Sequence, residues 1–363
     1  MRRASIPALF IFVLLASPGW AADEEMLRAN VASFQGALSL KDYDSAERYL
    51  KEAMRLGEEL YGPRDPRVAL MTGNLAETYL AADLHRQALI TFEKAQALYD
   101  PQTDDGRRGI IRAVIGRAKA RPRADDSPAA GRLYAEAEDK AEAWFGKDSR
   151  ELADAKVMRA DYIYLSPTPD ATRMKRLYDD AADIYRKIDG ESSPELVHIY
   201  HQYGKVRLAM DNARSAIEYF DRALGVLKTH KQRDRELMVR ATMIQALDKI
   251  GDEERCIAET ELFAVLLGEG DRKDAKPLVR VPPSYPVSAA QMGTQGWVQF
   301  TYGINKHGHV VNPTVVKADP PGVFEKSALK AFEKWRYAPK VIGGQTVDSD
   351  GYEIIITYDL QNR

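Results

Sequence analysis

Cysteine is almost missing from this chain: Cys256 is the one thiol in 363 residues. No internal disulfide can form, and without a CxxC or a Cys/His grouping there is no thiolate metal site. A dominant charge is missing too. The 52 Lys and Arg face 54 Asp and Glu, for a formal net charge of −2. That balance argues against nucleic acid, whose phosphates call for a clear cationic excess. Catalytic signatures are also lacking. There is no HExxH and no GxSxG, and Cys256 has no convincing histidine partner. His198 and His201 stand at i, i+3 on a helical stretch, where helical histidines mostly pack or face solvent, and no third ligand accompanies them. The "GGQT" run at 343–346 has no strand–glycine loop–helix context, so it reads as a loop and not as a phosphate cradle. These absences predict a chain with no catalytic residues, no metal and no cofactor.

What is present is the composition of a folded protein, 45% hydrophobic and 29% charged. The length predicts two domains. At the N-terminus Arg2 and Arg3 precede an apolar run from Ile6 to Ala16, and Pro18-Gly19 breaks any helix there. Gly19 and Ala21 supply small residues at the −3 and −1 positions of a cleavage site. A helix over Ile6 to Ala16 would rise about 16 Å, short of the ~30 Å hydrocarbon core. No cysteine follows, which closes the lipoprotein route. Residues 1–21 are therefore expected to be a removed signal peptide, leaving a mature chain with no stable membrane insertion.

The middle of the chain repeats. Ala46, Ala88, Ala130, Met174, Ala216 and Ala258 recur at spacings of 42, 42, 44, 42 and 42. Four residues after each comes a large side chain: Leu50, Phe92, Tyr134, Tyr178, Phe220 and Leu262. Seven after each comes a small one: Ala53, Ala95, Ala137, Ala181, Ala223 and Val265. Offsets of four and seven return to one helical face, so small residues let helices approach while the large one fills the gap. A partner helix precedes each, with Leu75, Ala76 and Tyr79 before one and Tyr203 and Gly204 before another. The connections recur as well, in "GPRDPRVA" from Gly62, "GKDSRELA" from Gly146 and "GESSPELV" from Gly190. In each a glycine ends one helix and an Asp/Ser/Pro cluster caps the next. "RPRADDSP", containing Pro122, predicts an irregular inner loop in the third pair. On these residues the segment 29–268 resembles tetratricopeptide repeats, as six helix pairs. The resemblance implies an all-α solenoid whose inner groove holds a peptide or protein. Polar residues on the first helices, such as Asn74, Arg159, His201 and Arg207, are the expected groove lining, while the Ala/aromatic stripes are expected to be packing.

A charged, glycine-containing linker is expected at 269–276, within "LGEGDRKDAKP". Beyond it the period changes from 3.6 to 2. "GWVQFTYGIN" puts Val298, Phe300, Tyr302 and Ile304 on one face, and "KHGHVV" is a turn. "PTVVKAD" is a second strand, and Pro313 at its start predicts a sheet edge. "GVFEKSALKAFEKWRYAPK" is an amphipathic helix with Phe324, Ala328, Leu329, Phe332 and Trp335 on one face. "GYEIIITYDL" is a last strand, with Tyr352, Ile354, Ile356, Tyr358 and Leu360 on one side.

In this order, residues 277–363 resemble the C-terminal domain of the TonB family. The resemblance is carried by Tyr285-Pro286, Ala289, Gly293, Gly296, Val298, Gly308, Val310, Phe324, Ala328, Leu329 and the run Trp335-Arg336-Tyr337 with Pro339. It implies a small α+β domain with a three-stranded antiparallel sheet, in the periplasm, that adds an extended segment of an outer-membrane receptor or transporter to its sheet. The chain departs from that family in having a cleavable signal in place of a retained helix, and helical repeats in place of a proline-rich spacer. The expected function is thus a periplasmic adaptor that joins an envelope protein to a second partner in the repeat groove. The alternatives are an energy transducer, if the N-terminal segment is retained as an anchor, and a structural scaffold of an envelope complex. With Pro313 at one edge and the first strand central, the last strand becomes the other edge. The partner-binding residues expected there are Tyr352, Ile354, Ile355, Ile356, Thr357 and Tyr358.

Overall fold

Helix–turn–helix pairs dominate the computed structural model, which describes residues 21–121, 128–268 and 275–360. The expected signal segment falls almost wholly outside these residues, as do Pro122 with the run that follows it and most of the linker at 269–276. By contacts the chain divides into two units between Gly190 and Glu191.

The first unit holds α1 (Ala21–Ser39), α2 (Tyr43–Tyr61), α3 (Pro66–Ala81), α4 (His85–Leu98), α5 (Asp104–Lys119), α6 (Pro128–Phe145), α7 (Arg150–Tyr164) and α8 (Ala171–Asp189). Each helix packs on the next. The helix starts are written locally. Asp42, Thr103, Ser149 and Asp170 each accept a hydrogen bond from the amide three residues on. Asp65 caps α3, with Pro66 as its first residue, where no amide partner is needed. The predicted stripes are core: Ala46, Leu50, Ala53, Phe92, Tyr134, Ala137, Tyr178 and Ala181 are all buried. The opening helix of the first pair buries Leu27 and Phe34.

The second unit begins with α9 (Leu196–Ala209), α10 (Ala213–Leu227), α11 (Arg233–Ile250) and α12 (Glu253–Leu267). In α9–α10 the predicted register holds, with Ala216, Phe220 and Ala223 fully buried. In α12 it does not. Leu262 is 51% exposed and Val265 42%, while Cys256, Thr260, Phe263 and Ala264 are buried. The turn and cap explain the shift. A left-handed residue and then a cap precede the small residue by five and four positions in earlier pairs, as Lys41 and Asp42 before Ala46, and Asp211 and Asn212 before Ala216. Gly251 (φ 73°) and Asp252 set the same count to Cys256, two residues earlier than Ala258. Thr260 and Phe263 then reverse the large–small order, because this helix packs on strands and not on a further repeat helix.

After α12 come β1 (Pro277–Val279), the short α13 (Val287–Met292), β2 (Gly296–Ile304), β3 (Val310–Asp319), α14 (Glu325–Phe332), β4 (Arg336–Tyr337), β5 (Lys340–Ile342), β6 (Gln345–Val347) and β7 (Ser349–Tyr358). The main sheet is antiparallel in the order β3-β2-β7, the arrangement that Pro313 implied. Helix α14 is shorter than the sequence pattern suggested and ends before Trp335, and Leu360 lies past the end of β7. Two further pairings, β1–β4 and the hairpin β5–β6, were not legible. Gly343 and Gly344, both at positive φ, make the hairpin's turn. The core is aromatic: Phe300, Tyr302, Phe324, Phe332, Trp335, Tyr337 and Tyr358 are all buried. Rings pack edge-on in Tyr302–Phe332 at 4.9 Å and stacked in Phe324–Tyr358 at 4.2 Å.

Candidate functional site: the open edge of the C-terminal sheet

Strand β2 is sequestered between its two neighbours, so the edges of the sheet are β3 and β7. The β3 edge is blunted. Its register on β2 slips at two places, between Gln299 and Phe300 and between Thr301 and Gly303. Asn312 takes φ 50°, Pro313 lacks an amide, and Lys317 sits on the strand. Strand β7 is different. From Gly296↔Tyr358 to Tyr302↔Tyr352 it pairs with β2 residue for residue, and its one irregularity lies nearer the start, between Tyr302 and Ile304. Among the described residues nothing pairs with its other side.

The six residues expected at this site all lie on β7 and alternate as a strand must. Ile356 and Tyr358 are buried, and Tyr352 and Ile354 pack at the margin of the core. These four fix the strand. Ile355, 55% exposed, and Thr357 face solvent, and Glu353 beside them accepts a hydrogen bond from Gln299 at 3.2 Å. No Lys or Pro interrupts Tyr352 to Tyr358. The lower end of the strand is secured by Tyr285, whose ring packs edge-on against Phe324 and Tyr358 while its hydroxyl donates to the Thr294 carbonyl at 2.7 Å.

The residues expected to line a groove fare unevenly. Arg159 is ion-paired to Glu138, and Asn74 and Arg207 are half-buried. His201 is a correction. It is buried, its ring 5.8 Å from Phe220 and its Nε2 3.1 Å from Thr242 Oγ1. Burial pushes its pKa down to about 3, so it is a neutral core residue. A recess of about 700 Å³ along α2 is lined by Glu47, Lys51, Glu52 and Arg55. Its charges satisfy one another, Lys51 with Glu47 at 2.7 Å and Arg55 with Glu52 at 2.6 Å. Among the described residues no group of His, Cys, Asp and Glu is arranged to hold a metal. No helix among them is long and apolar enough to cross a membrane.

The fold is that of a helical-repeat protein carrying a small sheet domain, whose β7 edge is regularly paired on one side and has no strand on the other among the described residues. Residues 281–360 match the family model described as Gram-negative bacterial TonB protein C-terminal, and residues 28–100 match that of the tetratricopeptide repeat. The C-terminal segment is similar to protein TonB of Pseudomonas aeruginosa, 34% identical over 80 residues that make up 22% of this chain and 23% of that one. It is 29% identical to protein TonB of Escherichia coli K12 over 86 residues, 24% of this chain and 36% of that one. The chain thus spans 23% and 36% of these two relatives' own lengths. Among solved structures, the Rap conjugation gene regulator of the plasmid pLS20 is 11% identical with a TM-score of 0.51, over 73% of each chain, and shares the helical fold. A TonB-type C-terminal domain preceded by tetratricopeptide repeats is therefore the organisation of this protein. Both are protein-interaction modules.

Proposed function

We propose that the chain is a periplasmic adaptor. Its C-terminal domain takes an extended segment of an envelope protein, such as an outer-membrane receptor or transporter, as an additional strand beside β7. The helical repeats, residues 29–268, hold a second protein or peptide. In this reading residues 1–21 direct export and are removed, residues 269–276 link the two modules, and the protein performs no catalysis. The observation that carries the reading is the contrast between the sheet's two edges. Strand β3 is bulged and proline-bearing, while β7 offers an uninterrupted Ile354-Ile355-Ile356 with an unpaired side. Main-chain hydrogen bonds would supply affinity, and the alternating side chains of the added strand would supply selectivity.

The test is affinity capture from the protein's own envelope fraction, with wild type and Ile355→Pro as baits and mass spectrometry as the readout. The proline removes an amide from the middle of the strand. The variant should lose the envelope partner while keeping the helical signal of the repeats. Equal retrieval by both baits would move the binding site away from β7 and make the helical groove the leading candidate.

A further inference from the structure

The C-terminal domain does not hang from its linker. Within the second unit, β1 lies against α11, and β5 and β6 lie against α12. The centre of this contact is charged, with a buried arginine facing a carboxylate, Glu253, that is 53% exposed. Arg336, on β4 in the Trp-Arg-Tyr run, is 3% exposed. Its Nη2 donates to both carboxylate oxygens of Glu253 on α12, at 3.1 and 2.8 Å, and lies 3.7 Å from Asp248 on α11. His309 Nε2, at the turn between β2 and β3, reaches Glu253 at 2.9 Å. Burial, and then the neighbouring guanidinium, lower the His309 pKa, and Arg336 Nη1 lies 3.3 Å from the same ring nitrogen. Around this centre His307 Nδ1 meets Glu261 at 2.7 Å, and Gln245 Nε2 donates to the Leu278 carbonyl at 3.2 Å. Gly308 brings backbone so close to α12 that an added Cβ would lie 2.8 Å from Thr260 Cγ2.

A guanidinium withdrawn from water needs compensating charge, and both carboxylates that supply it belong to the helical repeats. We propose that Arg336, Glu253 and Asp248 form a latch that holds the C-terminal domain on the last helix pair as one rigid body. The β7 edge is thereby presented in a fixed orientation to α9–α12. Helices α9–α12 and the sheet edge then act as one arm, and a segment bound at β7 is held at a set distance from whatever these helices bind. This goes beyond the adaptor reading and does not depend on it, because a latch can exist whether or not β7 captures a strand.

The test measures geometry and not capture. Spin labels are placed on the exposed positions Glu218 of α10 and Lys330 of α14, through Glu218→Cys and Lys330→Cys. The native Cys256 is fully buried, with its thiol pushed up to about 11, and stays unlabelled near neutral pH. Double electron–electron resonance on the full-length chain should give one narrow distance distribution. Adding Glu253→Ala and Asp248→Asn, on the helical side, should broaden it severalfold while the helical circular-dichroism signal is retained. A broad distribution in the unaltered latch would overturn the proposal, because the domain would then be freely tethered. An unchanged narrow distribution in the double variant would overturn it equally, because something other than the carboxylates would hold the domain.

Discussion

Gly204 lies directly against the edge of the Phe220 ring: a Cβ added to the glycine would sit 2.6 Å from Phe220 Cδ1. The helix α9 approaches α10 this closely because it carries no side chain at that point. Two effects oppose each other in Gly204→Ala. Helix propensity favours alanine by about 1 kcal/mol, while forcing a methyl into a closed core costs roughly 1–3 kcal/mol. The ring is fully buried and has no room to retreat, so overpacking wins. Urea unfolding should show a net loss of stability, and a more stable variant would mean that the ring moves aside freely.

Ala223→Leu tests the same packing from the other helix. Ala223 is fully buried on α10, and the larger side chain should cost roughly 1–3 kcal/mol. Differential scanning calorimetry would register this as a lowered Tm.

Trp335 is buried, stacked edge-on with Phe332 at 5.4 Å, and its Nε1 donates to the Val281 carbonyl at 2.8 Å. Trp335→Ala removes a large aromatic from the small domain's core and leaves that carbonyl without its donor. The expected loss is about 3–5 kcal/mol, read from denaturant unfolding followed by near-ultraviolet dichroism.

His201 makes stability depend on pH. Its folded pKa is pushed from 6.5 down to about 3 by burial. Its contribution is intact above 6.5 and is lost as pH falls toward about 3, because over that window the unfolded chain binds a proton that the folded one refuses. The slope should approach about 1.4 kcal/mol per pH unit. His201→Gln should flatten the curve between pH 6 and 4, and an unchanged slope would place its origin elsewhere.

The two sheet edges should respond differently to substitution. Val316, 57% exposed, is the residue left out of register at a β3 bulge. Val316→Lys should change stability by less than about 0.5 kcal/mol and leave partner capture intact. Loss of capture in this variant would point to β3 as the binding edge.

The sequence by itself determined what is periodic or local. Five of the six small–large–small stripes name buried residues. The capping Asp, Ser, Thr and Asn residues mark helix starts, and Pro313 orders the sheet with β7 at an edge. Each of these signals depends on neighbours within one helical turn or one strand pleat, so a linear pattern carries it. That the six expected residues lie on an edge strand was legible in the same way, by alternation and by elimination of the other edge. The sixth stripe was misread because its period was extended from the others. The turn residue Gly251 and the cap Asp252, counted forward to Cys256, held the correct register.

Only the tertiary structure decided the rest. Arg336 and Glu253 are 83 positions apart, and nothing in the Trp-Arg-Tyr run says that the arginine is buried against an acid on a repeat helix. The same holds for His201, polar on an exposed-looking helix yet closed over by Phe220 and Thr242, and for the short strands β1 and β4. The physical reason is common to all three. Burial of a charge or a polar ring is set by which distant surface covers it, and that pairing leaves no trace in the spacing of nearby residues.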